Sequence, residues 1–112
     1  GHTAAITVKF RQKPEREAIL AAWRDYRGLP QELGLPTAPE QFLHYMEEQD
    51  RPQPRLDAAK DKGMAIWISR LREDAILDYR FTCLSHNTLR GAAGGAVETA
   101  ELLVALGEIQ SK

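Results

Sequence analysis

Cysteine is almost absent from this sequence: its 112 residues include one, Cys83. A single thiol excludes an internal disulfide framework and a cysteine-based zinc centre, and it fits a reducing, cytoplasmic setting. Charge of one sign is also missing. With 15 basic and 16 acidic side chains the net charge is −1, so there is no electrostatic case for nucleic acid or an anionic membrane as a partner. No apolar run approaches the roughly 18 residues of a transmembrane helix. The first residues lack the apolar stretch of a signal peptide.

What is there reads as one ordinary globular domain, 43% hydrophobic and 28% charged, with length enough for a modest core. The chain opens on Gly1 rather than Met, which reads as a processed, cleaved or truncated product. Ile6, Val8 and Phe10 alternate with polar residues and predict a half-buried strand over 4–11. Ile19, Ala22, Trp23 and Tyr26 recur at helical spacing and predict a helix from Pro14 to Arg27, stopped by Gly28. Residues 29–40 hold three prolines and read as an ordered connector, followed by a short strand at Phe42–Met46. Lys60–Gly63 reads as a turn. Met64, Ile66 and Ile68 alternate and predict a strand to about Leu71, then a polar turn at Arg72–Asp74. Leu77, Tyr79, Phe81 and Cys83 continue as a second strand, the two forming a hairpin. Asn87 or Thr88 is placed to cap a final helix whose buried face is Leu89, Ala93, Ala96, Ala100 and Leu103. The order β-α-β-β-β-α predicts an α+β fold, a mostly antiparallel sheet with helices packed on one face.

Several residues are candidates for chemistry. Gly91, Gly94 and Gly95 do not have the spacing of a dinucleotide fingerprint. They permit either close helix packing or a helix entrance, Asn87-Thr88, lying against a cofactor. An Asn carboxamide both donates and accepts, which suits a nicotinamide carboxamide. His2, His44 and His86 are not at metal-ligand spacing. Hydrogen bonding is the reading for His44 and His86, while His2 precedes a strand, where a catalytic group can project from a sheet end. Cys83 sits on an apolar strand face and reads as an inert thiol. Residues 50–57 read as a solvated loop or as a structured one whose Arg51 or Arg55 grips a partner carboxylate or phosphate.

The run Ser85-His86-Asn87-Thr88-Leu89-Arg90-Gly91-Ala92-Ala93-Gly94-Gly95-Ala96, continuing through Ala100-Glu101-Leu102-Leu103, closely resembles the carboxyl-terminal end of aspartate-semialdehyde dehydrogenases of the archaeal and fungal branch. Gly1-His2-Thr3-Ala4-Ala5, Pro30-Gln31-Glu32-Leu33-Gly34-Leu35-Pro36, Asp50-Arg51-Pro52-Gln53-Pro54-Arg55-Leu56-Asp57 and Ser69-Arg70-Leu71-Arg72-Glu73-Asp74 agree in the expected order. The resemblance implies reductive dephosphorylation of β-aspartyl phosphate to aspartate semialdehyde with NADPH, on the route to threonine and methionine. It implies that His2 is the catalytic acid/base and that Asn87 contacts the cofactor, NADP. The family's nucleophilic cysteine, in a Ser-Asn-Cys-Thr-type motif, and its Gly-rich nucleotide-binding loop are not in this sequence. The implied chain is therefore an inactive carboxyl-terminal fragment. Residues 1–86 belong to the catalytic and dimerisation domain, and residues 87–112 form a terminal helix returning to an absent nucleotide-binding domain. The alternative is a dimerisation, assembly or ligand-binding module without catalysis. With its cover gone, the apolar helix face is expected to drive self-association or to re-dock, the sheet being the other route to self-association.

Overall fold

A computed structural model describes residues 1–110. Four strands, β1 (His2–Val8), β2 (Leu43–Met46), β3 (Ile66–Glu73) and β4 (Tyr79–Ser85), form one sheet in the order β1-β4-β3-β2. β1 pairs antiparallel with β4, from His2 opposite Ser85 to Val8 opposite Tyr79. β3 and β4 form the expected antiparallel hairpin, and β2 joins β3 in parallel, so the sheet is mostly antiparallel and the class is α+β. The helices are α1 (Arg16–Asp25), two single turns α2 (Leu29–Glu32) and α3 (Pro54–Asp57), and α4 (Gly94–Ala105).

Alternation along the strands sorts the core into two clusters. On one face α1 lays Ile19 against Leu71 and Tyr79, with Val8, Leu20, Trp23, Tyr45 and Phe81 packed around them. Trp23 stacks on Tyr45 at 6.1 Å and meets Phe81 edge-on at 5.0 Å. The opposite face carries Trp67 and Leu84, covered by Ala58 and Ala65 from the crossover that links β2 to β3. That parallel pairing demands a long crossover, and residues 47–65 supply it.

Element ends differ from the sequence reading for identifiable reasons. α1 stops at Asp25 because Tyr26 turns extended and packs on Phe42 at 6.0 Å. Gly28 then opens α2, its N–H donating to Gln31 Oε1 at 3.0 Å. β3 runs through the expected turn to Glu73, because a bulge between Ser69 and Arg72 absorbs one extra residue. Arg70 lies there at φ 59°. The bulge returns Leu71 to the α1 side of the sheet, opposite Phe81, which strict alternation from Ile66 and Ile68 could not do. The reversal falls instead at Asp74–Asp78, where the Asp74 carboxylate accepts the Ile76 and Leu77 N–H groups.

The predicted buried face of the last helix is corrected by the structure. Ala93, Ala96 and Ala100 are exposed, Leu89 is 36% exposed, and only Leu103 is half-buried. The helix turns its acidic side inward instead. Glu98, 7% exposed, receives both terminal nitrogens of Arg90, and Glu101 accepts the Thr37 hydroxyl at 2.6 Å and its N–H at 3.1 Å. Charge-assisted bonds to a half-buried Arg90 outweigh what alanine methyl groups gain by burial. The described chain is a slab of 56 × 33 × 19 Å with a radius of gyration of 15.8 Å, against about 13 Å for a compact domain of this length.

Candidate functional site

The two residues singled out for chemistry arrive at the same end of neighbouring strands. His2 is the first residue of β1, paired across from Ser85, the last residue of β4, and Asn87 follows two positions later. His2 and Asn87 are both exposed, and among the described residues neither side chain is drawn into a hydrogen bond. Gly1 fits tightly beside them: a methyl group there would meet Leu84 Cδ1 and the Ser85 carbonyl at 3.0 Å. The sheet end therefore carries an exposed imidazole at the start of β1 and an exposed carboxamide just past the end of β4, with Gly1 closely packed next to His2.

The chain leaves β4 through a wide turn. The Gly91 N–H donates to His86 O at 3.0 Å and the Ala93 N–H to Thr88 O at 2.9 Å, both five residues back, so residues 89–93 form one turn of π-helix. The close-packing reading of the glycines holds at two of them. A methyl on Gly95 would sit 2.5 Å from Arg90 O, and one on Gly94 would sit 2.5 Å from the Met64 sulfur and 2.9 Å from Leu89 O. Thr88 stands at the N-cap of this turn, one of the two expected positions, but its side chain makes no capping bond to the turn. The acceptor is His86 Nδ1, which takes the Leu89 N–H at 3.1 Å and the Thr88 N–H at 3.3 Å.

The other candidates hold the structure together. His44 stacks on Trp67 at 4.4 Å and bonds Gln41 O at 3.0 Å and Asp61 Oδ2 at 3.1 Å. Arg51 is engaged within its own chain: its guanidinium grips the Asp57 carboxylate, which is fully buried and also bonded by Lys60 and the Gln53 N–H. Arg51 holds that carboxyl well below the usual carboxylate range. Arg55, at the foot of α3, is exposed. Cys83 shares the sheet face of His2, one pairing step along, with Ala4 opposite. Burial pushes its thiol up, so it is a protonated, structural thiol at neutral pH.

The described residues include no group of three or more His, Cys, Asp or Glu side chains placed to hold a metal ion. Two open grooves lie away from His2 and Asn87. One, of about 440 Å³, runs along Pro36–Gln41 to His44 and Asp61, and an apolar one, of about 420 Å³, lies between α1 and the end of β1. The candidate site is thus an uncovered sheet end, able to move a proton and to pair with an amide.

Three comparisons bear on this arrangement. A family model described as the semialdehyde dehydrogenase dimerisation domain matches residues 1–90. Aspartate-semialdehyde dehydrogenase of Candida albicans is 42% identical over 107 residues, covering 94% of this chain and 29% of that protein. The enzyme of Methanothermobacter thermautotrophicus is 43% identical over 105 residues, covering 92% and 30%. A crystal structure of the Candida albicans enzyme with NADP superposes with a TM-score of 0.85 at 39% identity, covering 96% of this chain and 30% of that one. Aspartate semialdehyde dehydrogenase II of Vibrio cholerae, at 21% identity and a TM-score of 0.68, shares the fold. The chain spans about 30% of the length of the curated relatives it matches.

Proposed function

The chain belongs to the family of semialdehyde dehydrogenase dimerisation domains, and from that premise we propose that it is the carboxyl-terminal part of an NADP-dependent aspartate-semialdehyde dehydrogenase. The reaction is the reductive dephosphorylation of β-aspartyl phosphate. His2 takes and returns the proton, and Asn87 orients the nicotinamide carboxamide of the cofactor, which as NADPH would supply the hydride when bound. The residues present fit one end of that cofactor: Asn87 is exposed with its carboxamide unengaged. The thiol nucleophile lies outside these 112 residues, since Cys83 is half-buried opposite Ala4 with its thiol pushed up. The single observation that supports the reading is the β1–β4 register, which pairs His2 with Ser85, two residues before Asn87 in the chain.

On this reading residues 1–86 serve catalysis and dimerisation, and residues 87–112 return to the nucleotide-binding part. The exposed Ala93, Ala96 and Ala100 of the terminal helix support that division. Self-association runs through the sheet or through this helix. The 112 residues by themselves are inactive. The test is complementation: the chain is mixed with the upstream part of the Candida albicans enzyme, which covers the missing length. NADP reduction is then followed with aspartate semialdehyde and phosphate. Turnover appears only in the mixture, and His2→Ala lowers it about 100-fold or more, the range of a lost general acid/base. Turnover by the 112 residues alone, or full turnover with His2→Ala, refutes the assignment.

A further inference from the structure

We propose that His86 is a positioning residue: its imidazole, pressed in place by the turn at residues 60–63, fixes the backbone around Asn87 so that the Asn87 carboxamide is held out from the sheet end. This rests on the assignment of Asn87 to the nicotinamide.

The geometry converges on one atom. His86 Nδ1 accepts the Leu89 N–H at 3.1 Å and, more weakly, the Thr88 N–H at 3.3 Å, with the Thr88 hydroxyl 3.1 Å away, so the two amides that follow Asn87 share one acceptor. The His86 carbonyl meanwhile accepts the Gly91 N–H at 3.0 Å. Asn87 is thus enclosed in a loop closed at both its side-chain and main-chain ends by the residue before it. The arrangement requires a neutral imidazole with its proton on Nε2, because Nδ1 serves only as an acceptor.

A second, independent feature shows what holds the ring there. Asp61 and Lys62 sit at φ 50° and 57°, followed by Gly63 at 74°. Non-glycine residues in this region are strained, and they persist where the surroundings over-determine them. The result of that turn is a close approach: a methyl on Gly63 would lie 3.2 Å from His86 Cδ2 and 2.7 Å from Leu89 Cδ1. The strained turn is the wall against which the imidazole and Leu89 are packed. Asp61 is in turn held by His44, itself stacked on Trp67, so the wall is anchored in the core of the sheet.

The test has two arms. In the intact 112-residue chain, long-range ¹H–¹⁵N correlation spectra show His86 with its proton on Nε2, and the Leu89 amide exchanges slowly. A proton on Nδ1, or a freely exchanging Leu89 amide, overturns the proposal without any variant. In the two-part enzyme, His86→Ala raises the Michaelis constant for NADPH about tenfold, the factor of one lost hydrogen bond, and changes kcat less than twofold. His86→Asn, whose Oδ1 replaces Nδ1, stays within twofold of the parent in both. In the Asn87→Ala background, His86→Ala adds nothing further. An effect of Asn87→Ala with none of His86→Ala overturns the positioning role and leaves the Asn87 assignment standing. No effect of Asn87→Ala removes that assignment, and the positioning role falls with it. If His86→Asn fails to restore the Michaelis constant, His86 acts through bulk packing rather than through its acceptor, and the proposal is wrong.

Discussion

Replacing Arg51 by Met is expected to destabilise this protein more than removing the carboxylate that Arg51 binds. The reason lies in where the charges sit. The Asp57 side chain is 0% exposed, while those of Arg51 and Lys60 are 21% and 43% exposed. Without Arg51, a fully buried carboxylate keeps the Lys60 ammonium at 2.9 Å and the Gln53 N–H at 2.7 Å but loses its main partner. Breaking a buried pair from one side costs about 3–5 kcal/mol, and the two surviving contacts place Arg51→Met near 3 kcal/mol. With Asp57→Ala the cations can rehydrate, and the loss is one orphaned amide and a small cavity, about 2 kcal/mol. Urea unfolding at neutral pH, with the slope checked for constancy, ranks the two. The double variant is expected to be more stable than Arg51→Met alone, because it no longer buries an uncompensated charge. The pH dependence supplies a second check. The Asp57 carboxyl is depressed in the folded state, chiefly by Arg51 and further by Gln53 and Lys60. Its contribution is therefore complete above the unfolded value of about 3.9 and is lost as pH falls toward the folded value. Asp57→Ala should flatten that acid limb. If Asp57→Ala proves as costly as Arg51→Met, or the double variant is the least stable of the three, the buried charge is not the governing term.

Gly95→Ala should lower the thermal midpoint even though alanine favours an ordinary helix by about 1 kcal/mol. Its methyl would sit 2.5 Å from the Arg90 carbonyl, a backbone atom of the π turn, and overpacking of this kind costs about 1–3 kcal/mol; a raised midpoint would show that the π turn relaxes to α at no cost. Cys83 should label slowly with a thiol reagent at neutral pH and faster as pH rises, because burial pushes its thiol up and only the thiolate reacts. Cys83→Ser should leave complemented turnover intact, and a loss of turnover with the fold preserved would make Cys83 the nucleophile after all.

Much of the fold was legible before any coordinates, and the places where it was not share a cause. Periodicity located β1, α1 and the β3–β4 hairpin because each has one face against the core, and burial writes itself into residue spacing. The same rule failed on the last helix. Leu89, Ala93, Ala96, Ala100 and Leu103 form a face of the expected spacing, yet the bonds from Arg90 to Glu98 and, from across the chain, Thr37 to Glu101 turn the acidic side inward. No local pattern announces a partner 64 residues away. The end of β3 failed for a related reason. A bulge at Arg70 shifts the alternation by one, and its trigger is the need to bring Leu71 opposite Phe81, a requirement set by α1 on the far side of the chain.

The candidate site divides in the same way. Family motifs pointed to His2 and Asn87 one at a time, 85 positions apart, and reported nothing of their neighbourhood. His86 looked like an incidental hydrogen-bonding residue, and Arg51 was a candidate grip for an outside anion. The sequence by itself determined where the four strands and the two longer helices form and which residues became candidates for chemistry, since local spacing and side-chain type are written residue by residue. Only the tertiary structure decided that β1 lies against β4, so that His2 faces Ser85, that Arg51 is consumed by Asp57, and that His86 fastens the turn carrying Asn87. Strand pairing and buried charge are settled by free-energy differences between whole arrangements of the chain, and those differences exist only once distant segments meet.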